Sequence, residues 1–230
     1  MKYSTIFIDL DDTILDTVHN TVATLRELYA DYELAGYFGS FDTFFNTFQT
    51  NNLNNWRLYE RNQITKDDLI RNRFIGAFRS VDEIDDNKAL EINEDYIERI
   101  VKKDTLIDGA RELLDYLKPK YKISTISNGF TEMQFRKIES AGLSSYFHKV
   151  ILSDDVGINK PHPGIFDYAL RESGVKRENA IMIGDNYFSD IAGASDSGID
   201  QIWFNPAGKL VADLRPTYTV KSLNEIKNIL

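Results

Sequence analysis

Five short runs rich in β-branched and other apolar residues set the frame: "STIFIDL" (4–10), "KISTIS" (122–127), "KVILS" (149–153), "NAIMIGD" (179–185) and "DQIWF" (200–204). Runs that are apolar on both faces need cover on both faces, and parallel strands need long crossover connections. The connections are present. "GARELLDYL" (109–117), "TEMQFRKIESAG" (131–142), "PGIFDYALRESG" (163–174) and "SDIAGASDSG" (189–198) each carry apolar residues at helical spacing, and several close on glycine. This βαβα order predicts an α/β fold built on a doubly wound parallel sheet.

Residues 17–101 break the rhythm. They contain no convincing strand, and four stretches there read as helices: "DTVHNTVATLRELYADY", "SFDTFFNTFQTNNLNNWRLYERN", "TKDDLIRNRFIGAF" and "NEDYIERIVKK". Ser40, Thr65 and Asn93 stand where N-caps belong, and "ELAGYFGS" reads as the turn between the first two helices. The stripe Phe41, Phe44, Phe45 and Phe48 reads as the core of this insertion. The expected organisation is therefore a core of residues 1–16 and 102–230 with an all-helical insertion at 17–101. A capping box from Ser222 to Glu225 predicts a final helix in "SLNEIKNIL".

Charge and composition narrow the function. The chain has 230 residues, a formal net charge of -9 and no cysteine. An acidic chain of this kind is expected to bind neither a nucleic-acid polymer nor an anionic membrane surface, and an anionic small molecule would need local cations. Zero cysteines exclude disulfides, thiolate catalysis and zinc–thiolate sites. No apolar run reaches the length of a membrane span, and the expected location is the cytoplasm.

The chemistry gathers at the strand ends, where ligands bind in an open parallel sheet. "IFIDLDDTILD" sets Asp9, Asp11, Asp12 and Asp16 around an apolar run, and crowded carboxylates need a compensating charge. "AIMIGD" delivers Asp185 to the same edge, with Asp190 in the next turn. Such a group of oxygens suits a hard divalent cation, Mg2+ being the natural one. "STISNG" ends on Ser127 and Asn128, and "SDDVGINKPHP" brings Lys160, so a hydroxyl, backbone N–H groups and an ammonium make an anion site. Beside a cation, a phosphoryl group is the anion such a site accommodates.

These motifs resemble the haloacid dehalogenase (HAD) superfamily: Asp9-Leu10-Asp11-Asp12-Thr13, then Ser127-Asn128, then Lys160-Pro161, then Gly184-Asp185 through Asp190. The resemblance implies a HAD-like, Rossmannoid core whose helical insertion is a cap of the first class. It makes Asp9 the nucleophile and Asp11 the general acid and base. Asp9, the Asp11 carbonyl and Asp185 become the magnesium ligands, with Asp190 supporting the metal site. Ser127, Asn128 and Lys160 become the phosphate-binding residues. An aspartyl-phosphate intermediate follows from a carboxylate attacking phosphorus.

Dehalogenases of the superfamily also use an aspartate nucleophile but need neither Asp11 nor magnesium, so phosphatase chemistry is the expected one. The stretch "ISNGFTEMQFRKIESAGLSSYFHKVILSDDVGINKPHPGIFDYAL" resembles the pyrimidine 5'-nucleotidases, as does "NNWRLYERNQIT" in the insertion. The implied substrate is a small phosphorylated metabolite of the nucleoside monophosphate class, with Phe130, Trp56, Arg57 and Tyr59 reading the leaving group. A sugar-phosphate phosphatase of the phosphoglycolate type is the alternative. The expected assembly is a monomer or homodimer.

Overall fold

The computed structural model describes residues 2–211 and 216–230. Among these described residues there are six strands, β1 (Thr5–Ile8), β2 (Lys122–Ser127), β3 (Lys149–Leu152), β4 (Ala180–Gly184), β5 (Asp200–Phe204) and β6 (Tyr218–Val220). Ten α-helical segments accompany them: α1 (Thr17–Asp31), α2 (Ala35–Phe38), α3 (Phe41–Glu60), α4 (Lys66–Phe78), α5 (Asp86–Ile100), α6 (Ala110–Leu117), α7 (Thr131–Ser140), α8 (Ser153–Val156), α9 (Pro163–Ser173) and α10 (Gly193–Asp196). The chain divides into two compact units, one of Met1–Thr17 with Asp104–Leu230 and the other of Val18–Lys103.

In the first unit the strands pair in parallel in the order β3-β2-β1-β4-β5-β6. Successive side chains of a strand point to opposite faces, and β1 shows what this does. Ile6 and Ile8 pack on one face with Leu113, Leu114 and Leu117 of α6 and Ile138 of α7, whereas Phe7 packs on the other with Ile165, Phe166 and Ala169 of α9. Both faces are covered, as the apolar runs require. The sheet also has a strand that the sequence did not announce. β6 is three residues long, pairs with β5 through Ile202, Trp203 and Phe204, and buries only Val220, too little to show a pattern.

The helical unit is held by aromatic rings. Phe44, Phe48, Phe74 and Phe78 are all buried and stack or tilt against one another, with centroids 4.9 Å apart for Phe48–Phe74 and 6.0 Å for Phe44–Phe78. Ser40 caps α3 by accepting from Thr43 N–H at 3.2 Å, and Thr65 and Asp68 form a reciprocal capping box on α4. Asn93 is no cap. It lies buried inside α5, which starts seven residues earlier behind Asp85, whose carboxylate accepts from Lys88 N–H at 2.8 Å. Ala89 and Ile92 extend the buried stripe of α5 back to that cap, so the helix continues upstream of Asn93. The "ELAGYFGS" connection holds the single helical turn α2 in place of a plain turn. The final segment is a 3-10 helix, Leu223–Asn228, with Ser222 N–H donating to Glu225 at 3.0 Å.

Candidate active site

β2 and β3 lie to one side of β1 and β4 to the other, so the strand order reverses at β1 and opens a crevice beyond the carboxyl ends. Asp9 is the first residue past β1, and its N–H continues the ladder to Ile183 O at 2.9 Å. The chain then turns sharply: Asp12 adopts φ 61°, a left-handed conformation that aspartate tolerates, and its N–H donates to Leu15 O at 2.8 Å. Asp9 and Asp11 thus emerge together at the mouth.

Lys160 binds the crevice together from within. Its ammonium is buried and donates to Asp9 Oδ1 at 2.5 Å, to Asp190 Oδ1 at 2.6 Å and to Ile126 O at 2.8 Å. All three donors of the ammonium are accounted for. Burial lowers the affinity of Lys160 for its proton, but the carboxylates of Asp190 and Asp9 outweigh it and raise the group above its ordinary value. Asp190 sits on a π-helical turn, Tyr187–Ala192, and Asn186 N–H donates to its Oδ2 at 3.1 Å. Gly184 makes the approach possible. A Cβ there would fall 2.3 Å from Asp190 Oδ2.

Asp185 is tied to the first loop by an exchange with Thr13. The Thr13 hydroxyl donates to Asp185 Oδ1 at 3.2 Å and accepts from Asp185 N–H at 3.0 Å, while the indole of Trp203 donates to Asp185 O at 2.9 Å. Burial, then the carboxylates of Asp190 and Asp12, push Asp185 up to about 7. Burial raises Asp9 as well, against the pull of Lys160. Among the described residues, Asp9, Asp185 and Asp190 each bring a carboxylate oxygen within 4.8 Å of the others. With Asp9 and Asp185 held against ionisation chiefly by burial, and with only oxygen donors on offer, the three carboxylates fit a hard divalent cation.

Asp11 has partners that sequence reasoning missed. Its Oδ1 accepts from Thr17 Oγ1 at 2.7 Å and from Lys137 Nζ at 2.8 Å, and its Oδ2 accepts from Gln134 Nε2 at 2.6 Å. Burial raises Asp11, but the Lys137 ammonium and the three donors more than offset it, and the carboxyl lies below its ordinary value. Gln134 and Lys137 stand three residues apart in α7, so one helix face carries both.

Ser127 ends β2, and its hydroxyl accepts from Gly129 N–H at 3.1 Å and from Gln134 Nε2 at 2.7 Å. Asn128 uses its amide on the backbone of Lys160, donating to Lys160 O at 3.0 Å and accepting from Lys160 N–H at 2.8 Å. It positions the lysine. Phe130, expected to face a leaving group, is a packed side chain with 2% exposure. Trp56, Arg57 and Tyr59 lie in the last turns of α3: Trp56 and Tyr59 are half-buried with rings edge-on at 5.9 Å, and Arg57 is exposed. His19 and His148 are exposed, and His162 caps α9 by accepting from Gly164 N–H at 3.0 Å.

The model of the haloacid dehalogenase-like hydrolases matches residues 3–198, and the chain belongs to that family. It is a hydrolase by that membership. Three relatives match along the full length. The pyrimidine 5'-nucleotidase YjjG of Escherichia coli (strain K12) is 32% identical over 100% of this chain and 99% of its own. The pyrimidine 5'-nucleotidase PynA of Streptococcus pneumoniae (strain ATCC BAA-255 / R6) is 28% identical over 100% of this chain and 98% of its own. A magnesium-bound crystal structure of YfnB from Bacillus subtilis, which reveals interdomain movement in that protein, superposes with a TM-score of 0.89 at 27% identity, covering 100% and 99% of the two chains.

Proposed function

We propose that this enzyme is a magnesium-dependent phosphomonoesterase acting through phosphorylated Asp9, with pyrimidine nucleoside 5'-monophosphates as substrates. The observation that carries the reading is the Lys160 ammonium seated between Asp9 and Asp190, with Asp185 close enough to share a cation with them. Asp9, Asp185 and the main-chain carbonyl of Asp11 would hold the magnesium ion, and Asp190 supports the set. The ion supplies positive charge against the phosphoryl oxygens.

The side chains carry the steps. Asp9 attacks phosphorus as the bond to the leaving oxygen breaks, and Asp11, a carboxylate at rest, takes up the proton of the monoester monoanion and passes it to that oxygen, releasing the alcohol. Asp11, now a carboxylate, takes a proton from the water that attacks phosphorus next, so that inorganic phosphate leaves and Asp9 is regenerated. Lys160 and Ser127 hold the phosphoryl oxygens, the lysine by charge and the serine by its hydroxyl. Asn128 acts by fixing the Lys160 backbone.

Specificity falls to the helical unit, which we take as the cap. The Asn-rich stretch of α3 with Trp56, Arg57 and Tyr59 offers amides and aromatic faces, which suit a flat, hydrogen-bonding base better than a polyhydroxylated sugar. YjjG and PynA, similar over the whole chain including this unit, support the pyrimidine reading. The test is a panel of kcat/KM values over nucleoside monophosphates and sugar phosphates. dUMP, dTMP or UMP should lead. A lead of tenfold, about 1.4 kcal/mol of transition-state binding, by phosphoglycolate or a hexose phosphate over every pyrimidine nucleotide overturns the nucleotidase reading and leaves the phosphatase one. Efficient chloride release from 2-chloropropionate without magnesium overturns both.

A further inference from the structure

Gln134 and Lys137 converge on Asp11 from one face of α7, and Gln134 spans from Asp11 to Ser127. Resting on the phosphatase reading above, we infer that these two side chains are positioning residues for proton transfer: they fix where the Asp11 carboxyl stands relative to the phosphoryl group held at Ser127.

The hydrogen bonds of Gln134 argue for this role over simple packing. Its side chain is fully buried, and the Nε2 atom contacts both Asp11 Oδ2 at 2.6 Å and Ser127 Oγ at 2.7 Å. Its carbonyl, Oε1, is buried with no partner among the described residues. An amide kept for packing would satisfy its acceptor too, because an unpaired buried carbonyl bears its whole desolvation penalty. Here the donor side faces the two groups that touch substrate. The backbone leaves room for it at Gly129, where a Cβ would lie 2.1 Å from Gln134 Nε2.

Lys137 completes the arrangement from the other oxygen. With Thr17 it holds Asp11 Oδ1, at 2.8 Å and 2.7 Å, while Gln134 holds Oδ2, so both carboxylate oxygens have donors and the plane of the group is set. Proton transfer requires the acid to reach hydrogen-bonding distance of the leaving oxygen, about 2.6–3.2 Å. A carboxyl free to rotate meets that condition in fewer conformations. The loss should fall on the step that needs a proton and spare the binding of the phosphoryl group.

The leaving group separates this role from a structural one. p-Nitrophenolate departs without a proton, whereas an alkoxide does not. kcat/KM reports the steps through phosphorylation of Asp9, so it should be measured for the native enzyme, Lys137→Met, Lys137→Arg and Gln134→Leu on p-nitrophenyl phosphate and on an alkyl monoester such as dUMP or glycerol 2-phosphate. We expect Lys137→Met and Gln134→Leu to lose about tenfold or more on the alkyl ester, within the range of general acid catalysis, and about threefold or less on p-nitrophenyl phosphate. Lys137→Arg should recover most of the alkyl activity, with KM little changed throughout. Equal losses on both esters, no loss, or a gain overturns the inference. Lys137 keeps 12% of its side chain exposed whereas Gln134 is fully buried, so the Lys137 variants decide the matter even if Gln134→Leu does not fold. A native enzyme that cleaves neither ester overturns the phosphatase reading itself, and that result is visible before any variant is made.

Discussion

Lys160 Nζ lies 2.5 Å from Asp9 Oδ1, a buried ion pair at the centre of the sheet's open edge. The same ammonium faces Asp190 at 2.6 Å, and Asp190 is fully buried. Removing the ammonium leaves two carboxylates in low dielectric without a cation. Breaking a buried pair from one side costs about 3–5 kcal/mol. Lys160→Met should therefore lower stability by that order in chelator, besides abolishing turnover. Urea midpoints measure it, and a loss below about 1 kcal/mol would show that the pair is not desolvated as described.

The Thr13–Asp185 exchange predicts a smaller, separable effect. Thr13 is fully buried, and Thr13→Val keeps its shape while removing the hydroxyl that both donates to and accepts from Asp185. Leaving the Asp185 N–H without its acceptor costs about 1–3 kcal/mol. Magnesium should bind more weakly, because Asp185 loses a contact that orients it. Titration calorimetry with magnesium alone checks the second point, and unchanged affinity would count against a role for Thr13 in holding the ligand.

Asp185 also gives the metal-free protein a pH signature. Its carboxyl is raised to about 7 by burial and by Asp190 and Asp12, from an ordinary value of about 3.9. The folded state holds this proton more tightly than the unfolded one, so the stability it contributes is complete below about pH 4 and is lost as pH rises through about 7. In chelator, the stability difference between the native protein and Asp185→Asn should fall across that window as native Asp185 ionises. Magnesium should reverse the trend by replacing the proton. Urea midpoints at several pH values test this, and a difference independent of pH would contradict it.

The helical unit has its own unusual charge. Arg73 is buried at 3% exposure, with Nε and Nη2 lacking a hydrogen-bond partner among the described residues and its guanidinium 5.6 Å from the Tyr96 ring centroid. Burial lowers its affinity for its proton, and the Tyr96 hydroxyl works the other way. Replacing buried charge by an apolar side chain of similar volume is often neutral or stabilising, by about 1–4 kcal/mol. Arg73→Met should accordingly leave the thermal midpoint unchanged or raise it. A fall of several degrees would mean that the guanidinium is paired in solution.

How much of this could be read from the chain depends on how each residue announces itself. Asp9, Ser127 and Asp185 each stand directly after an apolar β-branched run, and the runs became β1, β2 and β4. A polar residue abutting a buried strand is visible in one dimension. Gln134 and Lys137 are not, because they are polar residues within a helical pattern whose apolar positions are Met133, Phe135 and Ile138, and nothing in it marks Gln134 as buried until α7 packs beside the loop after β1. β6 was too short to show alternation. Asn93 resembled a cap because it precedes an acidic first turn, while the helix was already running from Asp85. The π turn at Asp190 adds a residue to a helix with no change in composition to signal it.

The central claim is that Asp9 carries the phosphoryl group. Acid quenching during turnover of a phosphomonoester, followed by peptide mass spectrometry, locates that group directly. The account predicts a single phosphorylated peptide containing Asp9, absent without magnesium and absent in Asp9→Asn, which should be folded and inactive. A phosphoryl group on any other side chain, or undiminished hydrolysis by Asp9→Asn, would contradict it.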